Sequence, residues 1–243
     1  MITRRPHVAL LAASLVLTGC GGGAPETPER RPTTTTIQPA PTISLEVAPQ
    51  QLPGLGPRTW AKVPDDARQA VVVTGRGKDS ARSTVVLYER TDAGWEAGET
   101  WPAHNALRGW SDDHRAGDLH SPIGVFGLTD AGGRLRDPGT RLPYDHGTGF
   151  TATGTGFEGE TLAGSFDYVI AINYNRRPGT SPLDWTRPLG AGRGGGIWLH
   201  VDHGGPTHGC VSIAEEHMKE LLLALDPARR PVVVMGDADS LAR

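Results

Sequence analysis

Short apolar runs, separated by glycine, proline and polar residues, recur along the chain between residues 70 and 235. Their length and their content of β-branched residues are typical of strands. The runs that predict strands are residues 70–74, 83–88, 94–101, 122–128, 168–174 and 231–235. Helical periodicity (i, i+3, i+4, i+7) is clear in one place, at Met218, Leu221, Leu222 and Leu225. The pattern predicts a mainly β domain with a short helix near its end and a tail from Gly236 onward.

One further apolar run, residues 197–201, leads into a turn at residues 204–206 and then to Cys210. Ser212 and Glu215 follow with the S-x-x-E spacing of a capping box, which opens a helix by reciprocal hydrogen bonds. Cys210 is therefore expected just ahead of a helix N-terminus. The partial positive charge and free N–H groups of such a terminus favour a thiolate and bind an oxyanion. The pattern predicts a nucleophilic cysteine at residue 210.

Composition agrees with a turn-rich β domain, because the chain contains 33 glycines and 20 prolines. The charges nearly balance, with 24 Lys and Arg against 27 Asp and Glu. No basic surface of the kind that attracts nucleic acid is expected from such a balance, so a nucleic-acid partner is not predicted.

The first residues have the features of an export signal. An arginine pair precedes an apolar stretch, residues 8–17, that is short for a membrane span. Leu17-Thr18-Gly19-Cys20 resembles a bacterial lipobox, whose cysteine is lipidated and becomes the first residue of the mature chain. Residues 1–20 are therefore predicted to be a lipoprotein signal peptide. Lipidated Cys20 would hold the protein on the extracytoplasmic face of the cell membrane. An ordinary signal peptide with a chance cysteine is the alternative.

The rest of the chain divides into a tether and one domain. Residues 21–59 are rich in Pro and Thr and contain few large apolar residues, so they are predicted to be an extended, disordered tether. The domain is expected to span residues 60–243, a length that suits a single core. Lipidation of Cys20 would leave Cys210 without a disulfide partner, so Cys210 is expected to be a free thiol.

The candidate chemistry depends on a base close to the cysteine. A cysteine attacks an amide carbonyl once a base or the local field removes its proton. His200 is the predicted base because a strand end would fix its position, and Asp202 or a backbone carbonyl would orient its ring. The backbone N–H groups of Gly209 and Cys210 are the predicted oxyanion donors.

Two more histidines leave other interpretations open. His208 is an alternative base, but its place beside Gly209 favours support of the turn together with Thr207. His203 lies on a Gly-Gly-Pro turn and is expected to be too mobile for a base. These two histidines, with His200 and Cys210, also offer the nitrogen and sulfur ligands of a zinc site.

Two predicted loops carry charged side chains that could bind a ligand. Residues 112–118 carry several acidic side chains, but their spacing matches no calcium-binding loop. Residues 176–195 form a Pro- and Gly-rich loop that contains Trp185, Arg187 and Arg193. One of these arginines could bind a carboxylate bidentately, although loop arginines are more commonly solvated.

Two motifs occur in order along the chain. Ser121-Pro122-Ile123-Gly124-Val125-Phe126 has the pattern [S/T]-P-x-G-x-F, and Thr207-His208-Gly209-Cys210 has the pattern [S/T]-H-G-C. Together they resemble the signature of the L,D-transpeptidases, the YkuD-like enzymes that remodel bacterial peptidoglycan. His200 precedes Cys210 by ten positions, fewer than in many members. A subgroup with H-V, a short loop and G-P-T-x-G-C-V fits better. The likeness spans roughly residues 70–236.

The resemblance implies a β-sandwich-like catalytic domain with a short helix after the active-site cysteine, without a metal or cofactor. It also implies that Cys210 attacks the third-residue carbonyl of a tetrapeptide stem and releases the terminal D-alanine. The thioester would then pass to an amine of a neighbouring stem, giving a 3→3 cross-link, or to water, giving L,D-carboxypeptidase activity. We expect a monomer whose partners are peptidoglycan stem peptides. A zinc-dependent cell-wall hydrolase and a non-catalytic wall-binding lipoprotein are the alternatives.

Overall fold

The computed structural model describes residues 49–243. The predicted signal peptide, the lipidation site at Cys20 and residues 21–48 of the predicted tether lie outside this part. None of the helices between residues 49 and 243 combines the length and the apolar content that a membrane span requires.

The elements of the described part follow one another mostly as short strands. In chain order they are α1 (Pro57–Trp60), β1 (Gln69–Gly75), β2 (Arg82–Arg90), β3 (Trp95–His104), β4 (Trp110–Ser111), β5 (Ser121–Pro122), β6 (Gly124–Gly133), β7 (Tyr144–His146), β8 (Val169–Ile172), β9 (Trp198–Val201), β10 (Val211–Ile213), α2 (Glu215–Ala224), β11 (Val232–Asp237) and α3 (Ala238–Leu241). The mainly β fold and the short helix after Cys210 are therefore confirmed.

One sheet dominates the fold and closes on itself. Its strand order is β11-β1-β2-β3-β10-β9-β8-β6-β7, and β11 also pairs antiparallel with β6. Eight strands thus form a ring, to which β7 adds outside β6. Most neighbours are antiparallel, but three pairs are parallel: β1 with β11, β6 with β7, and β9 with β10. A parallel pair needs a connection that returns the chain to its starting end. Between β9 and β10 the connection is the short turn that leads to Cys210.

The core has two parts, which lie on opposite faces of β1. Residues 70–73 are therefore buried on both faces of the strand and are all apolar. Val71 and Val73 pack into the larger part, whereas Ala70 and Val72 pack into a smaller part with Leu52 and other residues. A strand that is buried on both faces shows a continuous apolar run and not an alternating one. The predicted helix face is confirmed, because Met218, Leu221, Leu222 and Leu225 are all buried in the larger part.

The ends of the domain differ from the sequence prediction. Gly236 onward is not a tail: β11 continues to Asp237 and α3 follows. Leu241 in α3 is 2% exposed and packs in the smaller core. At the other end, packed residues begin ahead of Trp60, because Leu52 is 1% exposed.

Candidate active site

Cys210 lies at the end of the turn between β9 and β10. The strand β10, and not the helix, follows it directly, so the prediction of a cysteine just ahead of a helix N-terminus is wrong. The predicted capping box is wrong as well. The N-cap of α2 is Ala214, which makes no side-chain cap, and Ser212 donates its hydroxyl to Asp202 Oδ1 at 2.6 Å. The reason is that residues 211–213 pair with β9 and extend the sheet before the helix begins.

Both sequence motifs meet at the carbonyl of Cys210. Thr207 Oγ1 donates to this oxygen at 2.7 Å, and Ser121 Oγ donates to it at 3.3 Å. Ser121 Oγ also accepts from the backbone N–H of Ala106 at 3.1 Å, which fixes the hydroxyl. Thr207 and Ser121 are both buried. The two motifs therefore form one structural unit that holds the backbone of the cysteine.

The thiol of Cys210 contacts the backbone that leads into β9. The N–H of Trp198 donates to Sγ at 3.4 Å, and Sγ lies 3.6 Å from the carbonyl oxygen of Gly196. Although the residue is partly exposed to a cavity, its surroundings are largely protein, and this burial raises the pKa of the thiol to about 11. The Trp198 N–H opposes the shift without cancelling it. Cys210 is therefore a free, neutral thiol near pH 7, and the predicted field-stabilised thiolate is wrong.

His200 lies in β9 and is 3% exposed. Its neighbour across the sheet is Ser212 of β10, the second residue after Cys210. Burial lowers the pKa of its ring to about 4; a contact with the carbonyl of Val201 opposes this shift, and His203 adds to it. The ring is neutral near pH 7 and is free to accept a proton. Among the described residues, no hydrogen bond joins His200 to Cys210. Its role as the base stays a prediction.

A backbone carbonyl orients the His200 ring, as one of the two sequence alternatives expects. His200 Nδ1 lies 2.8 Å from the carbonyl oxygen of Val201. Asp202 faces elsewhere: its Oδ1 lies 2.9 Å from His104 Nδ1. Burial favours the protonated form of Asp202, but hydrogen bonds from His104 and Ser212 outweigh it and lower its pKa to about 2.

His203 is held in place, contrary to the prediction of a mobile side chain. Its side chain is 5% exposed, and Nδ1 lies 3.2 Å from Glu160 Oε1, an ion-pair distance without hydrogen-bond alignment. Glycines at 156 and 205 make room for this carboxylate, because a Cβ at either position would overlap it. The rings of His203 and His200 are nearly parallel, with centroids 5.8 Å apart.

The remaining predicted residues of the turn, His208 and Gly209, line the same cavity as Cys210. His208 is exposed, and its ring centroid lies 4.6 Å from that of Phe157. A Cβ at Gly209 would lie 3.0 Å from Ile197 Cδ1, so close packing explains the glycine. The oxyanion role of the Gly209 and Cys210 N–H groups stays a prediction.

The four candidate zinc ligands are directed to different partners. His200 contacts Val201, His203 contacts Glu160, His208 packs on Phe157 and Cys210 contacts backbone groups. Within residues 49–243, no group of three or more His, Cys, Asp or Glu side chains is arranged to hold a metal ion. The zinc interpretation has no support in this geometry.

A cavity of about 400 Å³ opens in front of Cys210. Residues 194–197 form one wall, and Trp185 and Arg187 of the long polar loop form another. Trp185 is 78% exposed, and the Arg187 guanidinium lies 4.8 Å from its ring centre. The volume is in the range of sites for small ligands. Arg187 is thus the loop arginine that reaches the candidate site.

The sequence interpretation missed His114, which also lines this cavity. The residue belongs to the segment that was expected to be a polar loop, yet it is 4% exposed. His114 Nδ1 lies 3.0 Å from Asp118 Oδ1, within ion-pair distance. The only signal in the sequence is a histidine four positions before an aspartate, just upstream of the [S/T]-P-x-G-x-F motif.

Fold and motifs together place the chain among the L,D-transpeptidase catalytic domains. The chain belongs to the YkuD family, because the profile of its L,D-transpeptidase catalytic domain matches residues 57–234. Among solved structures, the chain is similar to Bd1075 of Bdellovibrio bacteriovorus, with 16% sequence identity and a TM-score of 0.38. The match covers 79% of this chain and 54% of that protein, so the chain spans about half of its length. No curated protein matches the sequence.

Proposed function

We propose that the protein is a cysteine-dependent peptidoglycan L,D-transpeptidase. Its donor substrate is a tetrapeptide stem, and its acceptor is an amine of a neighbouring stem or water. The observation that carries the proposal is the convergence of both family motifs on the Cys210 backbone, with the thiol beside a cavity large enough for a peptide segment. The family match supports peptidoglycan stem peptides as the substrate class.

The chemistry proceeds through two acyl transfers. In the first, His200 takes the thiol proton while Sγ attacks the carbonyl of the third stem residue. The C–S bond forms, the C–N bond to the terminal D-alanine breaks, and the proton passes to the leaving amine. In the second, the acceptor attacks the thioester carbonyl and expels the Cys210 thiolate, which recovers a proton.

Because Cys210 is neutral at rest, the proton transfer and the attack must be coupled. A neutral thiol is a poor nucleophile, whereas a thiolate in this buried site would lack compensating charge. A neutral His200 suits this task, since it holds no proton that would have to leave first. Backbone N–H groups of Gly209 and Cys210 are the proposed donors to the tetrahedral oxygen.

The direct test is acylation of the purified full-length chain by a disaccharide-tetrapeptide, followed by intact-protein mass spectrometry. We expect a mass increase on Cys210 with release of D-alanine, and no adduct in Cys210→Ser. His200→Ala should slow acylation about 100-fold or more, the usual scale for a lost general base. Binding of the tetrapeptide without any adduct would instead favour the wall-binding lipoprotein.

We also propose that Cys20 anchors the protein to the membrane. The proposal rests on the lipobox pattern of residues 17–20. Two acyl signals give a stable attachment, whereas a single chain binds only marginally. Cys20→Ala should move the protein from the detergent phase to the aqueous phase, or leave it unprocessed, in a detergent partition of whole cells. Unchanged partitioning of this variant would contradict lipidation, and Cys210→Ala is the matched control that should leave partitioning unaltered.

A further inference from the structure

His114 occupies the open side of the candidate site, whereas His200 lies behind it. His114 and Cys210 both line the cavity of about 400 Å³ in front of the thiol, and His200 is not among its lining residues. A second substrate that approaches Cys210 through this cavity therefore passes His114; the exposed His208 lines the cavity too, but its ring packs on Phe157. The proposed reaction needs such a second substrate, because the thioester has to be resolved by an amine or by water.

Two neighbours contact the ring of His114, and one of them also binds its backbone. Asp118 Oδ1 lies 3.0 Å from Nδ1, an ion-pair distance without hydrogen-bond alignment. Tyr174 packs edge-on against the ring at 5.3 Å, and its hydroxyl donates to the His114 carbonyl oxygen at 3.2 Å. The negative charge of Asp118 beside Nδ1 favours the tautomer that carries its proton there, which leaves Nε2 free as an acceptor.

The free edge of the ring faces the glycines that flank the thiol. A Cβ at Gly194 would lie 2.7 Å from His114 Nε2, and a Cβ at Gly209 would lie 3.7 Å from Cε1. Gly194 also has a φ of +67°, a left-handed conformation that favours glycine. Both this backbone conformation and the closeness of His114 therefore favour glycine at position 194. The Nε2 edge is thereby directed along the cavity wall toward the residues next to Cys210.

We propose that His114 is the proton acceptor for the second half of the reaction. When the acceptor amine or water attacks the thioester, a C–N or C–O bond forms and the C–S bond breaks. The electron pair of that bond leaves on Cys210 Sγ, and the proton of the nucleophile passes to His114 Nε2. Asp118 stabilises the imidazolium that results. The proposal rests on the proposed function and adds a second base to it.

The test separates the two half-reactions in the full-length protein. The acyl-enzyme is formed with the disaccharide-tetrapeptide, excess donor is removed, and resolution by glycinamide or by water is followed by mass spectrometry. In His114→Gln we expect resolution to slow at least about tenfold, while acylation stays within about twofold of wild type. His120→Gln is the matched control, because His120 also lies near Asp118 (3.8 Å) but does not line the cavity. It should resolve the acyl-enzyme at the wild-type rate.

Imidazole rescue distinguishes a proton acceptor from a structural residue. Added imidazole should restore resolution in His114→Ala, because it can enter the cavity and accept the proton; a merely structural loss would not respond. Resolution at the wild-type rate in His114→Gln would overturn the inference while leaving the acyl-enzyme intact. The inference would also be overturned if imidazole failed to restore resolution in His114→Ala. Equal slowing of acylation and resolution in His114→Gln would overturn it as well. Failure of the wild-type protein to form any acyl-enzyme would overturn the proposed function itself, and this inference with it.

Discussion

Burial keeps both Cys210 and His200 neutral, which sets the conditions for any reaction between them. The pKa of the thiol is raised to about 11, and that of the imidazole is lowered to about 4. A preformed thiolate–imidazolium pair is therefore disfavoured near pH 7, since each pKa is shifted away from the charged form. A thiol that stays neutral is a weak nucleophile, which limits its side reactions.

The first prediction concerns the pH dependence of Cys210 alkylation. Only the thiolate reacts with iodoacetamide, and a raised pKa means that its fraction keeps growing as the pH rises toward 11. The alkylation rate at the Cys210 peptide, read by mass spectrometry, should rise about tenfold per pH unit between about pH 7 and 10. N-acetylcysteine is the reference and should level off earlier. A plateau below pH 8 at Cys210 would indicate an activated thiolate and contradict the prediction.

Single residues could be predicted from the sequence where their neighbours are close in the chain. Thr207 and Cys210 belong to one turn, so their pattern is visible in a few positions. His114 could not be found in this way, because it meets Gly194 and Gly209 only after distant loops have folded together. The environment of His203 was also hidden, since its partner Glu160 lies in a remote loop.

At the scale of elements, apolar runs predicted seven of the eleven strands of the described part, and periodicity predicted α2. The short strands β4, β5, β7 and β10 were not predicted, nor was the order in which strand and helix follow Cys210. Apolar runs indicate buried segments, and β1, β8 and β11 are almost entirely buried strands. The S-x-x-E spacing at Ser212 and Glu215 is a local signal for a helix start. Pairing of β10 with β9 overrides it, because the sheet supplies ladder hydrogen bonds and Ser212 finds a partner in Asp202.

The turn between β9 and β10 depends on a glycine at position 205 that leaves room for Glu160. In Gly205→Ala the new Cβ would overlap the Glu160 carboxylate and displace it from His203. The end of a long side chain moves easily, so the melting temperature should change little. Acylation should fall about threefold to tenfold, because His203 and the neighbouring His200 lose a restraint.

The control for this turn is Gly77→Ala. Gly77 has open space at its Cβ position and an ordinary φ, so neither stability nor acylation should change. Acylation is measured by mass spectrometry with the tetrapeptide donor. Wild-type acylation rates in both Gly205→Ala and Glu160→Gln would show that the carboxylate does not position the histidines.

At the scale of the whole molecule, ring closure joins the C-terminal strand to early parts of the chain. β11 pairs with β1 on one side and with β6 on the other. The chain then adds α3, whose backbone bonds to the start of the domain: the N–H of Gly56 donates to the carbonyl oxygen of Leu241 at 2.9 Å. The four residues of α3 are too few to show helical periodicity, which is why a tail was predicted there.

The last prediction tests whether this C-terminal helix is part of the core. Leu241 is 2% exposed and packs in the smaller core, and Leu→Ala at buried sites costs about 2–5 kcal/mol. Leu241→Ala should therefore lower the free energy of unfolding by at least about 2 kcal/mol in urea titrations of the full-length protein. Asp239→Ala, on the exposed side of the same helix, is the control and should stay within about 0.5 kcal/mol of wild type. Equal, small effects of the two variants would mean that α3 is a dispensable tail after all.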